Sequence, residues 1–174
     1  MLKKSKIYLR ALEPADIDYL YSWENNTSIW NVTNTFIPFS KNTLQKYIDS
    51  QQDIYTDRQL RLVIVKNEDN IPVGFIDIFD FDAYHLRAGL GIMVADEENR
   101  NKGYASEAIQ IISDYAKNVL GIRNLFCNIL ADNAGSIKLF EANNLKKIAC
   151  KPQWHKKNNH WVDELYYIKK LTND

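Results

Sequence analysis

The sequence has little of what would place it in several large classes of protein. Its 174 residues include two cysteines, four prolines and six glycines. Cys127 and Cys150 lie far apart, which excludes a small disulfide-stapled fold and fits two free thiols in a reducing compartment. No Pro/Gly/Ser-rich linker, internal repeat or low-complexity segment divides the chain, so a single domain over residues 1–174 is expected. Neither sign of charge is in excess, with 22 Lys+Arg against 22 Asp+Glu. Proteins that live on nucleic-acid backbones carry a basic surplus, so nucleic acid is not an expected ligand. No stretch approaches the ~20 apolar residues of a membrane span, and Ala88 to Ala95 is too short. Lys3, Lys4 and Lys6 lead into Ile7-Tyr8-Leu9-Arg10 with no apolar run of a secretion signal. A cytoplasmic location without membrane contact is the expectation. Asn26-Thr27-Ser28 and Asn31-Val32-Thr33 match the glycosylation sequon but carry no weight without such a signal.

What is present is an ordinary globular composition, 45% hydrophobic and 25% charged. A domain of this size buries roughly 70% of the surface of its unfolded chain and folds without staples. Ile7 to Ala11 alternates as a strand. Glu13-Pro14 opens a helix carrying Ile17, Leu20, Tyr21 and Glu24, with Pro at a first position where its missing N–H costs little. Ser40 to Gln51 reads as a second helix. Leu60 to Lys66 and Ile71 to Phe81 read as a hairpin around Asn67-Glu68-Asp69-Asn70. Ala88 to Val94 is a short apolar strand. Gly103 to Leu120 is the longest helix, with Ala105, Ala108, Ile109, Ile112, Ala116 and Val119 as its stripe. Leu125 to Leu130, Leu145 to Lys151 and Glu164 to Leu171 read as strands, and Ser136 to Asn143 as a helix. The order β, α, α, β, β, β, α, β, α, β, β implies a mixed α/β sheet with helices on its faces. The step from Ala88 to Leu130 is where parallel pairing is expected.

The most informative segment is Arg100-Asn101-Lys102-Gly103-Tyr104-Ala105, between a strand and the longest helix. The first N–H groups of a helix lack internal partners and carry partial positive charge, so they seat anions such as a diphosphate. Gly103 lets backbone approach a ligand closely, and Arg100 and Lys102 add charge. Taken alone, such a hexapeptide is more often a surface turn. Further on come a strand, Asn133-Ala134-Gly135-Ser136, a short helix and another strand.

Together these motifs resemble the GNAT superfamily of acetyl-CoA-dependent N-acetyltransferases, in the branch of ribosomal-protein N-terminal and spermidine/diamine acetyltransferases. The resemblance runs from Ile7-Tyr8-Leu9-Arg10 to the end of the chain. The family's diphosphate loop, Arg/Gln-x-x-Gly-x-Gly/Ala, matches Arg100, Gly103 and Ala105, and Ser106-Glu107-Ala108 continues the branch pattern. Its Asn-x-x-Ser motif matches Asn133 and Ser136. The resemblance implies a mixed, mostly antiparallel central sheet with helices on both faces. It implies that amides from Asn101, Lys102, Gly103, Tyr104 and Ala105 hold the diphosphate. It implies that the edge at Ile92, Met93 and Val94 pairs with the pantetheine arm, and that one of its N–H groups polarises the thioester carbonyl. Asn133 would fix the pantetheine arm, and Ser136 would give a hydrogen bond to the sulfur. Homo-oligomers are common among such relatives.

Three positions depart from the family pattern. Phe140 stands where many relatives carry an acidic Tyr. Gly89 stands where relatives often carry Glu, so the general base is unassigned and Asp77, Asp80, Asp82 and His85 are candidates. Asn144-Leu145 replaces Gly-Phe, and Asn tolerates the left-handed conformation that ends a helix. Glu24, Asp80, Asp82, Asp163 and Glu164 could attract a cationic acceptor, although solvated surface charge is the commoner role for such residues. Asp163 falls where this branch shapes its acceptor site. Trp23, Trp30, Trp154 and Trp161 could line that site or simply pack. His85, His155 and His160 match no zinc spacing, so no metal is expected. The expected activity is acetyl transfer from acetyl-CoA to a primary amine by direct attack. A polyamine or diamine such as spermidine is the first acceptor class and a protein N-terminus the second. The alternatives are a non-catalytic acetyl-CoA sensor and, more weakly, a nucleotide-phosphate binder. The latter lacks both the Lys-Ser/Thr of a P-loop and the three glycines of a dinucleotide loop.

Overall fold

The alternation that marks a half-buried strand also decides which side of the sheet each residue faces. The computed structural model describes residues 2–30, 35–50 and 53–171. In β1 (Ile7–Ala11), Ile7 and Leu9 turn to one core, and Tyr8 packs on the other. Its partner β2 (Leu60–Lys66) pairs antiparallel, and β2 pairs in turn with β3 (Pro72–Asp82). β3 forms a hairpin with β4 (Arg87–Val94). β4 pairs parallel with β5 (Asn124–Leu130), and β5 pairs antiparallel with β7 (His160–Lys170). β6 (Lys146–Lys157) closes the order β1-β2-β3-β4-β5-β7-β6. The sheet is mixed and mostly antiparallel, as the resemblance implies.

Helices cover both faces. A 3-10 turn at Pro14–Asp16 leads into α1 (Ile17–Glu24), and α2 spans Lys41–Asp49, with Ser40 capping it by accepting from the Thr43 N–H. Leu20, Trp23 and Leu44 from these helices bury against Val63, Val65 and Phe75. The short α3 (Ile54–Asp57) precedes β2. On the opposite face lie α4 (Tyr104–Asn118) and α5 (Ala134–Ala142). Ala108, Ile109, Ile112 and Ala116 of α4 are fully buried there, with Phe140 of α5 and Tyr167 of β7. Val119 departs from the expected stripe. The helix ends at Asn118, and Val119 stands exposed. Among the described residues, no helix is long and apolar enough to cross a membrane. Gln51, the expected end of the second helix, and the Asn31-Val32-Thr33 sequon lie outside the described residues.

β6 and β7 are longer than the expected strands. Lys156 to Asn159 form the far end of their hairpin instead of a loop between separate strands. The cause is that β6 is an exposed edge, so its sequence carries charge where a central strand would carry Val or Ile. Pro152 sits in a register shift between Lys151 and His155, where a missing ladder donor is tolerated. Both cysteines are free. Burial pushes the Cys127 thiol up to about 12, which leaves it unreactive.

Two local constraints hold the active side of the sheet. A Cβ on Gly74 would lie 1.9 Å from the Met93 carbonyl oxygen, so only glycine lets β3 and β4 approach there. Asp16, 2% exposed, accepts from both terminal nitrogens of Arg10 at 2.6 and 2.7 Å and from the Glu13 N–H. Burial alone would raise the Asp16 pKa, but these donors outweigh it and hold the carboxyl below its usual value. A carboxylate with a lowered folded pKa stabilises the fold above its unfolded value and loses that contribution as pH falls through the folded one. Asp16→Asn should therefore cost about 1.5–3 kcal/mol at pH 7. The cost should shrink as pH falls below about 4, since Asp titrates near ~3.9 in unfolded chains. Urea unfolding of both proteins at several pH values measures this. Gly74→Ala should cost roughly 1–3 kcal/mol at all pH values, as overpacking against backbone does.

Candidate active site

The site begins where the central strands part. β4 and β5 pair at three positions only, Arg87–Asn124, Ala88–Leu125 and Gly89–Phe126. β5 remains paired with β7 along its whole length, and β4 with β3 to Val94. From Leu90 to Val94 the side of β4 facing β5 therefore has no strand partner. Main-chain N–H and C=O groups demand partners, and this edge is a template for an added extended segment. Ile92, Met93 and Val94, the expected pantetheine edge, lie on it.

Both helices that follow these strands start at the open end. Gly103 caps α4 with φ +88°, and Asn101 also has positive φ at 59°. Alternating left-handed residues turn successive amides toward one side and make an anion cradle. The Lys6 ammonium donates to the Lys102 carbonyl at 2.7 Å and supports the loop from behind. Lys6 N–H and Ser5 Oγ both donate to Glu107, which ties the first turn of α4 to the chain before β1. The loop borders a cavity of about 710 Å³ lined by Ser5, Lys6, Asn67, Asn101 and Lys102, among others. Arg100 is turned differently from the expectation of added charge at the loop. Its guanidinium donates to the Val94 and Ala95 carbonyls and so caps the end of β4. Tyr104 is buried in the core, while Ala105 is half-buried at the helix start. Asn133 caps α5, its Oδ1 accepting from the Ser136 N–H at 3.1 Å.

The face of the sheet opposite α4 and α5 carries the other half of the site. Strand register puts Asp77, Phe79, Gly89, Gly91, Phe126, Asn128, Tyr166 and Glu164 on it. Phe79 meets Phe126 edge to face at 5.8 Å, and Phe126 meets Tyr166 at 5.6 Å, which makes an aromatic row across three strands. This row gives Gly89 its reason. A Cβ there would lie 2.2 Å from the Phe79 ring, so the Glu of relatives fits only if that ring leaves.

The carboxylates flanking the row are occupied. Asp77 receives Nε and Nη2 of Arg61 at 2.7 and 3.0 Å, and Arg61 also pairs with Glu24. Burial opposes the charge on Arg61, but Asp77 and then Glu24 outweigh it and raise the guanidinium pKa. Glu164, 7% exposed, receives Lys151 at 2.6 Å and contacts His155 Nε2 at 2.6 Å. Burial pushes its pKa up, and these two partners more than reverse the effect. Asp163 points to the opposite face from Glu164, as neighbours on a strand must. Its oxygens receive the Gln153 N–H and the Cys150 thiol in the β6 bulge.

The remaining candidates lie elsewhere. Asp80, with φ 48°, and Asp82 mark the irregular end of β3. Asp82 accepts from the Tyr84 and His85 N–H groups and pairs with Arg87, and the His85 N–H in particular helps hold its pKa down. His85 is exposed in the same turn. From Arg87 to Ile92 a strand rises about 16 Å, so this turn is at the closed end of the split and away from its opening. Phe140 is buried in the core. Arg61, Lys151, His155 and the aromatic row were missed by the sequence reading, and the only signal for them is strand alternation combined with register. No group of three or more metal-binding side chains gathers among the described residues.

A fold of this topology with an unpaired strand edge beside an anion-binding helix start describes a known class of acyl-group transferases. A family model described as an acetyltransferase (GNAT) domain matches residues 6–146, and the chain belongs to that family. It is 23% identical over 137 residues to the spermidine N(1)-acetyltransferase of Vibrio cholerae, covering 79% of this chain and 77% of that protein. It is 24% identical over 175 residues to a probable N-acetyltransferase of Bacillus subtilis, covering 94% and 93%. Among solved structures, spermidine N-acetyltransferase from Vibrio cholerae in complex with CoA and spermine superposes with a TM-score of 0.85 at 19% identity over 97% of each chain. A probable acetyltransferase superposes at 0.82 and 21% identity, over 98% of this chain and 95% of that one. The protein is thus an N-acetyltransferase by family.

Gly103→Val tests the loop. It forces a branched side chain into a left-handed conformation and toward Lys6 Nζ, 3.1 Å from the added Cβ. Affinity for CoA measured by calorimetry should fall on the order of tenfold or more, equivalent to ~1.4 kcal/mol or more. Unchanged affinity would remove the loop from the site.

Proposed function

We propose that the protein transfers acetyl from acetyl-CoA to a primary amine by direct attack in a ternary complex. The observation that carries this reading is the edge Leu90–Val94, which has no strand partner toward β5 and lies beside the cradle at Asn101–Gly103. Amides from Asn101 to Ala105 would hold the diphosphate, and Ile92, Met93 and Val94 would pair with the pantetheine arm. Asn133 spends its Oδ1 on capping α5, so its Nδ2 is the group it offers that arm. When bound, acetyl-CoA supplies an activated acyl group on a thiol of pKa about 8.5.

The protein's own tasks are to orient the amine, strip its proton and steady the sulfur. An alkyl ammonium titrates near ~10.4 and must become neutral before it attacks. The aromatic row disfavours the charged form by desolvation. Both Asp77 oxygens are taken by Arg61, so proton removal through water fits this site better than direct transfer to Asp77. Phe140 has no proton to give, which leaves the sulfur to the Ser136 hydroxyl and solvent. Two acceptor classes suit the reaction: a polyamine, as in the name of the Vibrio relative, and the N-terminus of a protein. A homo-oligomer belongs to this reading, and a dodecameric structure is known for the Vibrio enzyme.

Acetyl-CoA-dependent thiol release against a panel of amines tests the proposal. Release with at least one amine is expected, and silence across the panel with CoA bound would refute it. Ser136→Ala should lower kcat by roughly tenfold or more, the scale of one hydrogen bond to developing charge, while CoA affinity changes little. An unaffected kcat would remove Ser136 from the chemistry.

A further inference from the structure

We infer that the acceptor is a single primary amine carried on an uncharged, aromatic or aliphatic body, and not a polycation. This rests on the N-acetyltransferase reading and narrows its substrate class. A polycation needs carboxylates that are free to receive its distal ammonium groups. The face that an acceptor would approach offers the reverse. Its middle is the half-buried row Phe79, Phe126 and Tyr166. On one side, Glu24 and Asp77 share the half-buried guanidinium of Arg61. On the other, Glu164 is held by Lys151 and His155. A second ammonium on the acceptor would have to displace Arg61 or Lys151 or lie close to one of them, and like charges at close range repel strongly away from water.

The connection between α1 and α2, two helices that cover the same face, agrees with this. Its described residues, 25–30 and 35–40, include no Asp, Glu, Lys or Arg. Phe36 and Ile37 within it stand 82% and 70% exposed. Several acidic residues outside the row are also placed by the structure. Asp82 serves its own turn and Arg87, and Asp132 pairs with Lys157. Asp80 begins the irregular end of β3 directly after Phe79, and Asp96, Glu97 and Glu98 follow the end of β4, where they line a second cavity with Asn26, Ser28 and Arg100, whose guanidinium stands 3.7 Å from Glu97. An aromatic floor with neutralised margins binds an apolar body by burial and leaves one amine to be desolvated. Both a small arylalkylamine and a peptide with a hydrophobic first residue present that chemistry.

The test compares kcat/KM for 2-phenylethylamine, a short peptide with a free N-terminal Phe, and spermidine, with thiol release from acetyl-CoA as the readout. One of the two mono-amine probes should exceed spermidine by at least about tenfold, the discrimination that one unpaired charge readily produces. Whichever is better identifies the source. Spermidine turned over as well or better overturns the inference and leaves the N-acetyltransferase reading standing. No turnover of any amine by enzyme that binds CoA overturns both. Asn128→Asp supplies a second arm. Asn128 is exposed on the same face, opposite Tyr166 in the β5–β7 pairing, and the change is isosteric. It adds an unpaired carboxylate and should raise the spermidine to phenylethylamine ratio several-fold. An unchanged ratio removes charge on this face as the selector.

Discussion

β4 and β5 exchange partners from Arg87–Asn124 to Gly89–Phe126 and then separate. A main-chain edge left bare inside a sheet is costly unless something pairs with it. The separation holds because each strand is secured on its other side. β5 is paired with β7 at seven positions, and β4 follows β3 to the close approach of Gly74 and Met93. α4 and α5 follow β4 and β5, so both begin at the opening. Their first amides and the bare edge then face one space. The anion cradle and the strand template are two consequences of the same break in hydrogen bonding.

The amine side of the opening obeys a different constraint, the cost of burying charge. Arg61 emerges from β2 beneath α1 and α2, where a lone guanidinium would be strongly disfavoured. Asp77 from the next strand and Glu24 from α1 neutralise it, and in doing so they use up the acidity of that wall. Glu164 solves the mirror problem on β7 with Lys151 and His155 from β6. Removing one member of such a group leaves an uncompensated charge, which costs far more than the pair contributes. These groups are therefore parts of the fold whose charges are already satisfied within it.

Most elements were legible because they are buried on one face and so carry a period. α4 and strands β2 to β5 announced themselves through Ile, Val, Leu and Ala at regular spacing. The loop at Arg100 to Ala105 was legible because unusual backbone needs Gly or Asn, and Gly103 and Asn101 do adopt positive φ. β6 was only half visible, since an edge strand with its exposed residues charged looks like a loop. α3 is a single turn capped by Asp53, too short for any period. Asp163 and Glu164 show the deeper limit. They are adjacent in sequence and equal in charge, yet one braces a bulge on one face and the other anchors a charge cluster on the opposite face. Only the register with β5 and β6 decides which is which.

The two halves of the site thus differ in how sequence encodes them. The cofactor side is made of backbone shape, which a few residue types report locally. The proposed acceptor side is made of side-chain pairs across the β2–β3 and β6–β7 hairpins, such as Arg61 with Asp77 or Lys151 with Glu164, and strand register decides those partners where local residue type does not. Gly89 ties the halves together. It lies at the last pair before β4 and β5 separate, and it is glycine because Phe79 from β3 covers it. A carboxylate at that position would have served as a base beside the thioester. The Phe79 ring that fills this place makes the floor apolar, and the proposed reaction then leaves deprotonation to desolvation and water. On the proposed reading, one aromatic side chain bears both on which amine is welcome and on how that amine loses its proton, while the backbone shape of the other half is left untouched.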